Sequence, residues 1–181
     1  MHLEIISKLK YEYANMTFER KYLGYLGECI AQLELAREGL KIDRTGEGMV
    51  FDFVASNGAT LEIKTSKPYT NKRHGYTKKN GEKIDYFYKN WKFRICKDQD
   101  WIDFYVLVLL DEDKTYLNSF VIPNSDQTSE SLAGKLIVIS EDALKGNYKT
   151  RHSSQKKQRP SKWDKYKNDW KTILDYKKNK I

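Results

Sequence analysis

Cysteine is scarce in this chain of 181 residues: Cys29 and Cys96 stand alone, neither with a second cysteine or a histidine at metal-ligand spacing. That excludes a disulfide framework and a thiolate metal centre. It points to a reducing compartment in which both thiols act as small buried hydrophobes. Histidine is almost as sparse, and His2, His74 and His152 are scattered along the chain, where a lone imidazole is ordinarily a surface group. Long hydrophobic runs are missing too. The longest, Phe104 to Leu110, is far too short to cross a bilayer, and the opening "MHLEIISKLK" has no signal-peptide apolar block. The expectation is a soluble, cytoplasmic chain with no membrane partner. It is long enough for one domain, or one domain with a small appendage, and for a real core. No internal repeat is visible.

What is abundant is positive charge, and it is unevenly placed. Residues 145–181 hold 13 Lys/Arg against 3 Asp, a net of +10, and residues 67–94 hold 9 against 2, a net of +7. The remainder is acidic, so the whole chain carries only +8. Both basic segments include aromatics: Tyr69, Tyr76, Tyr86 and Trp91 in one, Tyr148, Trp163, Tyr166 and Trp170 in the other. Such clustering is the electrostatic footprint of a polyanion, because each phosphate neutralised releases condensed counterion. A solubilising surface or an anionic membrane patch are the alternatives on charge alone.

The pattern of apolar residues predicts a helix over 17–39, with Thr17 as cap, Leu23, Leu26, Ile30 and Leu33 at helical spacing, and Gly39 as stop. A second stripe, Gly24, Glu28, Ala31 and Leu35, sets Glu28 among small and apolar residues and so turns it toward the protein. Strands are predicted at about 49–55, 60–65, 91–95, 104–110, 116–122 and 135–139. Residues 66–90 read as a long polar loop. Residues 146–160 read as a flexible basic linker, after which Ser161 caps a last helix whose Trp163, Tyr166, Trp170, Ile173 and Leu174 dock on the core or on a second subunit.

The stretch "MVFDFVASNGATLEIKT" places Asp52, Glu62 and Lys64 inside strand-like sequence. Their relation depends on the turn. A two-residue Asn57-Gly58 loop would put Asp52 opposite Ile63, with Glu62 on the other face of the sheet. A three-residue loop, Ser56-Asn57-Gly58 with a left-handed glycine, puts Asp52 directly opposite Glu62, about 5 Å apart at Cβ. Only this second register puts Phe51 and Phe53 on one face with Leu61 and Ile63, so it is preferred. Two carboxylates that close need a shared proton, a cation or a divalent metal. Lys64 lies on the same face, and an inward Glu28 adds a third acid, which favours a hard ion with oxygen ligands. The acid-x-Lys triplet itself has no weight, because it also occurs at Glu19, Glu112, Asp169 and Asp175. Context separates them. Glu112 and Lys114 fall in the polar turn "DEDKT", whereas Glu62 and Lys64 alternate with Leu61 and Ile63.

A helix acid in "LGE", a strand acid in "FDF" and then Glu62-Ile63-Lys64 together resemble the PD-(D/E)xK nuclease superfamily, over roughly residues 20–125. The layout from Gly27 through "RTGEG" to Lys67 is also similar to archaeal Holliday-junction resolvases, and "WKFRI", "DFYVLVLL" and "FVIP" resemble the later strands of restriction and intron-associated members. Phe51 stands where the eponymous Pro would be. The resemblance implies an α/β, restriction-endonuclease-like central mixed β-sheet flanked by helices. Charge and apolar pattern add a basic C-terminal helical arm that has no counterpart in the family, so the expected division is a nuclease core over 1–145 and a basic linker and C-terminal helix over 146–181. It implies Mg²⁺, with Mn²⁺ as substitute, held by Asp52, Glu62, the Ile63 carbonyl and Glu28. Lys64 is implied as the group that orients or deprotonates the attacking water.

The expected partner is double-stranded DNA, contacted by Arg44, Lys67, Lys72, Arg73, Lys78, Lys79, Lys92, Arg94, Arg151, Lys156, Lys157 and Arg159. The expected activity is Mg²⁺-dependent endonuclease cleavage, site-specific in the manner of restriction or homing enzymes. A structure-selective junction resolvase and a non-catalytic DNA-binding protein on a nuclease fold are the alternatives. HNH chemistry is disfavoured because no histidine has a paired acid and Asn context. One site per chain favours a homodimer or larger symmetric oligomer for cutting both strands.

Overall fold

In a computed structural model of the chain, residues 19–46, 51–95, 101–128, 136–145 and 162–177 are described. Helix α1, Glu19–Arg37, ends as the glycine predicts. Gly39 takes φ +84°, its N–H donates to the Ala36 carbonyl at 3.1 Å, and Leu40 N–H donates to Leu35 O at 2.9 Å. This pair of bonds satisfies carbonyls that would otherwise be orphaned at the helix end. The expected cap Thr17 lies outside the described residues. Ala31 and Leu35 are fully buried, while Leu33, expected inward, is 42% exposed. The stripe that holds Glu28 is therefore the most deeply buried, and Leu23, Leu26 and Ile30 pack half-buried against the same cluster.

Five strands form a mixed sheet in the order β1 (Ile42–Arg44), β2 (Phe53–Ala55), β3 (Thr60–Ser66), β6 (Phe104–Leu110) and β7 (Tyr116–Pro123). Only β3 and β6 are parallel. The three-residue turn is present: Phe53 pairs with Leu61 and Val54 with Thr60, and Gly58 has φ +86°. β6 is buried along its whole length, as its unbroken apolar sequence requires of a strand covered on both faces.

A second, antiparallel sheet contains β4 (Tyr69–Thr77), β5 (Lys83–Arg94) and β8 (Leu136–Ser140), with β5 in the middle. Residues 66–90, expected as a long loop, are mostly strand. Their backbones satisfy each other by cross-strand pairing, which needs no apolar core and so left no period-2 hydrophobic signal.

The larger sheet packs against a cluster on each face. One holds Ala31 and Leu35 of α1 with Phe53, Leu61, Ile63, Val106 and Val108. The other joins Tyr105, Leu107, Leu109, Phe120 and Ile122 to Trp91, Phe93, Ile137 and Ile139 of the second sheet. A short helix, α2 (Glu141–Leu144), follows β8 and is capped by Ser140.

The expected C-terminal helix is instead a 3-10 turn, Asp164–Tyr166, and a single helical turn, α3 (Lys171–Leu174). Asn168, at φ +53°, separates them. Trp163 and Tyr166 therefore join one cluster, and Trp170 and Ile173 the other. Docking on the core is what the apolar stripe predicts; division between two clusters is not. This segment also grips the β2–β3 hairpin. Asn57 Nδ2 donates to the Ile173 carbonyl at 2.7 Å, and Tyr176 donates from its hydroxyl to Asp103 at 2.5 Å. Asp103 in turn accepts the Thr60 N–H at 2.9 Å, and burial with these acid contacts pushes the Tyr176 hydroxyl up to about 12. No helix among the described residues is long and apolar enough to cross a membrane.

Candidate active site

β2 ends one residue short of the register's extrapolation. Phe53 pairs with Leu61, but Asp52 N–H also donates to the Leu61 carbonyl at 2.9 Å. Two residues thus oppose one, as in a β-bulge, and every side chain before the break changes face. This corrects two expectations. Phe51 packs with the inter-sheet cluster rather than beside Phe53. Asp52 does not simply stand opposite Glu62; its carboxylate accepts the Ile63 N–H at 2.7 Å, replacing the ladder bond that β2 no longer offers. The Ile63 carbonyl leaves the strand on that same edge.

Two further groups fix the loop. Thr45, next to β1, donates its backbone N–H to the Asp52 carbonyl at 3.0 Å, and its hydroxyl donates to the Phe51 carbonyl.

Glu62 and Lys64 project from β3 on the side of Tyr105 and Leu107, their parallel-register partners. Glu62 is buried, and Lys64 Nζ donates to its Oε1. Glu28 arrives from α1 on the opposite face of the sheet. Its close approach depends on Gly27, where a Cβ would stand 1.7 Å from Thr65 Oγ1 and 2.9 Å from Thr65 Cβ. Glycine therefore lets α1 settle directly on β3, beside Lys64.

Arg44, expected to contact DNA, reaches toward this group. Its guanidinium lies 3.0 Å from Glu28 Oε2, an ion pair without hydrogen-bond alignment, and Oε2 has no hydrogen-bond partner among the described residues.

The electrostatics tie the three acids together. Burial raises the Glu28 carboxyl above its ordinary range; Arg44 opposes this, and the charges of Asp52 and Glu62 add to it. Glu62 is likewise raised by burial, countered by the Lys64 hydrogen bond, and raised again by Asp52. A carboxyl with a raised folded-state value stabilises the fold at pH below its unfolded value, near 4.5, and that stability is lost as pH rises through the folded value. At neutral pH these acids therefore strain the fold. Accordingly Glu28→Gln is expected to raise the thermal midpoint at about pH 8 in chelator, by about 2–4 °C for each kcal/mol relieved. The gain should shrink toward zero as the pH falls to the ordinary carboxylate range, and a midpoint lowered at about pH 8 would contradict this assignment.

Other expected contacts are dispersed. Lys92 stands 5.3 Å from the centroid of the Tyr69 ring, Lys72 pairs with Asp85 at 2.7 Å and Lys78 with Glu82 at 2.8 Å. Arg94 and Lys79 are exposed. The side chain of Arg73 and residues Arg151, Lys156, Lys157 and Arg159 lie outside what is described. Glu112 is exposed in its turn and pairs with Lys89 at 3.0 Å, so it has no share in the site. Cys29, beside Glu28, has its thiol pushed up by burial, away from reactivity.

Gly27, Thr45 and the role of Arg44 were not read from sequence. The signal for Gly27 was the glycine directly before an inward-facing acid; Thr45 carried none.

The donor set suits a hard divalent cation, since Asp52, Glu62, Glu28 and the Ile63 carbonyl offer oxygen only. The buried, unbonded Glu28 Oε2 and the mutually repelling acids call for added positive charge. Among the described residues no three acidic, histidine or cysteine side chains are gathered at metal-holding distance. Arg44 and Lys64 engage two of the acids, so taking up a cation means an exchange of partners.

No family model matches the chain, and no curated protein does. Among solved structures it is similar to a bacterial homing endonuclease, I-Ssp6803I, with a TM-score of 0.48 and 19% identity, covering 85% of this chain and 90% of that one.

Proposed function

We propose that the chain is a Mg²⁺-dependent DNA endonuclease that hydrolyses phosphodiester bonds at defined sites. The observation that carries this reading is that Glu28, Asp52, Glu62 and Lys64 stand around the edge of β3 that β2 leaves unpaired, near enough that the charges of Asp52 and Glu62 act on Glu28, though not gathered at metal-holding distance. Glu28 comes over one face of the sheet, Glu62 and Lys64 over the other, and Asp52 across the edge. Asp52, Glu62, the Ile63 carbonyl and Glu28 would hold the metal. Bound there, Mg²⁺ supplies Lewis-acid polarisation of the phosphate and a water of lowered pKa.

The chain's own groups do the rest. Asp52, held by the Ile63 amide and by Thr45 on its backbone, keeps its carboxylate fixed on the strand edge. Lys64, once Glu62 turns from it, presents Nζ to the attacking water or to charge developing on phosphate oxygen. Arg44, released from Glu28, offers a second cation to the polyanion.

The test is cleavage of supercoiled plasmid, genomic DNA and a synthetic four-way junction with Mg²⁺ or Mn²⁺. Discrete fragments are expected, with Asp52→Ala inactive but still binding DNA. A strict preference for the junction would mark a resolvase instead. Tight binding with no cutting of any substrate would leave only a DNA-binding role.

A further inference from the structure

The β4–β5 hairpin runs past the rest of its sheet. Among the described residues β8 pairs only with Asn90–Arg94 of β5, and from Lys83 to Lys89 the hairpin is two strands wide. On this bare ribbon three consecutive aromatics are exposed: Tyr86 at 49%, Phe87 at 68% and Tyr88 at 42%. Adjacent strand residues point to opposite faces, so Tyr86 and Tyr88 lie on one side and Phe87 on the other. A flat partner would cover one side and leave the other wet. Only a partner with two walls covers both.

Charge names that partner. Residues 67–94 carry a net of +7, and the two acids among them, Glu82 and Asp85, are already paired with Lys78 and Lys72 of the same hairpin. The turn at its tip is closed by Gly81 at φ +85° and exposes Lys78 and Lys79. A second copy of this ribbon would meet like charge with like.

Two paired strands with their side chains fit the major groove of B-DNA, roughly 12 Å wide, with phosphates along both walls. We infer that the β4–β5 ribbon enters the major groove of duplex DNA, Tyr86, Phe87 and Tyr88 facing its walls and floor and the tip lysines its phosphates. It is the element that selects where the β3 site cuts. This rests on the reading of the chain as a DNA-cutting protein, but its test is separable.

Binding of a labelled duplex several helical turns long is measured by fluorescence anisotropy in chelator, so that no cutting intervenes. Phe87→Ser and the pair Tyr86→Ser/Tyr88→Ser are each expected to weaken binding by about tenfold or more, the scale of a lost base-edge contact in the major groove, with unchanged urea midpoints. Methyl green, which fills the major groove, should be displaced by the wild-type protein, while a minor-groove ligand should not compete. Unchanged affinity in both variants, tighter binding of single strands than of duplex, or a ribbon variant that turns an oligomer into a monomer at equal DNA affinity would each overturn the inference. A wild-type chain that binds through the ribbon yet never cuts would sink the nuclease reading and leave this one standing. One that cuts identically with and without the three aromatics would do the reverse.

Discussion

Replacing Lys64 by Met is expected to lower Mg²⁺-dependent cleavage by about 10³-fold or more, the scale on which a single charge-stabilising group acts in a site that excludes water. DNA affinity should stay near its original value. Lys64 Nζ is hydrogen-bonded to Glu62, and its side chain is 32% exposed against 12% for Glu62. The lysine is thus the solvent-facing member of a pair whose other member is buried. Deleting it leaves a buried, unbalanced carboxylate, which costs stability as well as chemistry.

The double variant Lys64→Met/Glu62→Gln separates the two effects. It should recover the urea midpoint lost in Lys64→Met and recover none of the cleavage. Lys64→Arg should not restore activity, because the planar guanidinium is larger and does not give up a proton. Single-turnover cleavage within tenfold of wild type in Lys64→Met would remove this residue from the chemistry.

The second large effect is expected from a residue that touches no substrate. In Gly27→Ala the new methyl would sit 1.7 Å from Thr65 Oγ1 and 2.9 Å from Thr65 Cβ, so α1 must lift from β3. Overpacking of this kind costs about 1–3 kcal/mol. The greater loss is functional. Glu28 is the next residue along α1 and Lys64 the preceding one on β3, so the lift parts acids that act together, and misplacement on the ångström scale lowers rates by about 10²-fold. Adding Thr65→Ala removes the Oγ1 clash but keeps the Cβ at 2.9 Å, so it should restore stability in part. Gly24→Ala is the control, because a Cβ there meets nothing within 4 Å among the described residues; it should leave activity unchanged. Equal activity in Gly27→Ala and Gly24→Ala would show that the helix does not position the acid.

Much of the frame was legible because it is local. Asn57 and Gly58 fix a three-residue turn, Phe53 with Leu61 and Ile63 fixes the register, and the apolar run from Phe104 marks a strand covered on both faces. The inward stripe of α1 and the discounting of Glu112 came from the company each acid keeps. What could not be read depends on partners far along the chain. The break at Asp52 exists because the Ile63 amide can be satisfied by a side chain instead of a backbone carbonyl. The sequence of the ribbon reads as a loop because its strands are held by each other and by no core, so hydrophobic periodicity has nothing to report. The final helix divided because Asn168 turns back to β7, its N–H donating to Ser119 O at 2.8 Å and its side chain accepting from Ser119 N–H at 2.9 Å.

The bond from the Ile63 amide to Asp52 also makes a reporter. A backbone proton held by a carboxylate resonates according to the charge and position of that carboxylate, so one cross-peak in an amide correlation spectrum follows Asp52 without any label on the acid itself. Its exchange with deuterium measures how often the strand edge opens. Its chemical shift, followed through a magnesium titration, registers the moment the carboxylate is recruited elsewhere, in protein that has never met DNA.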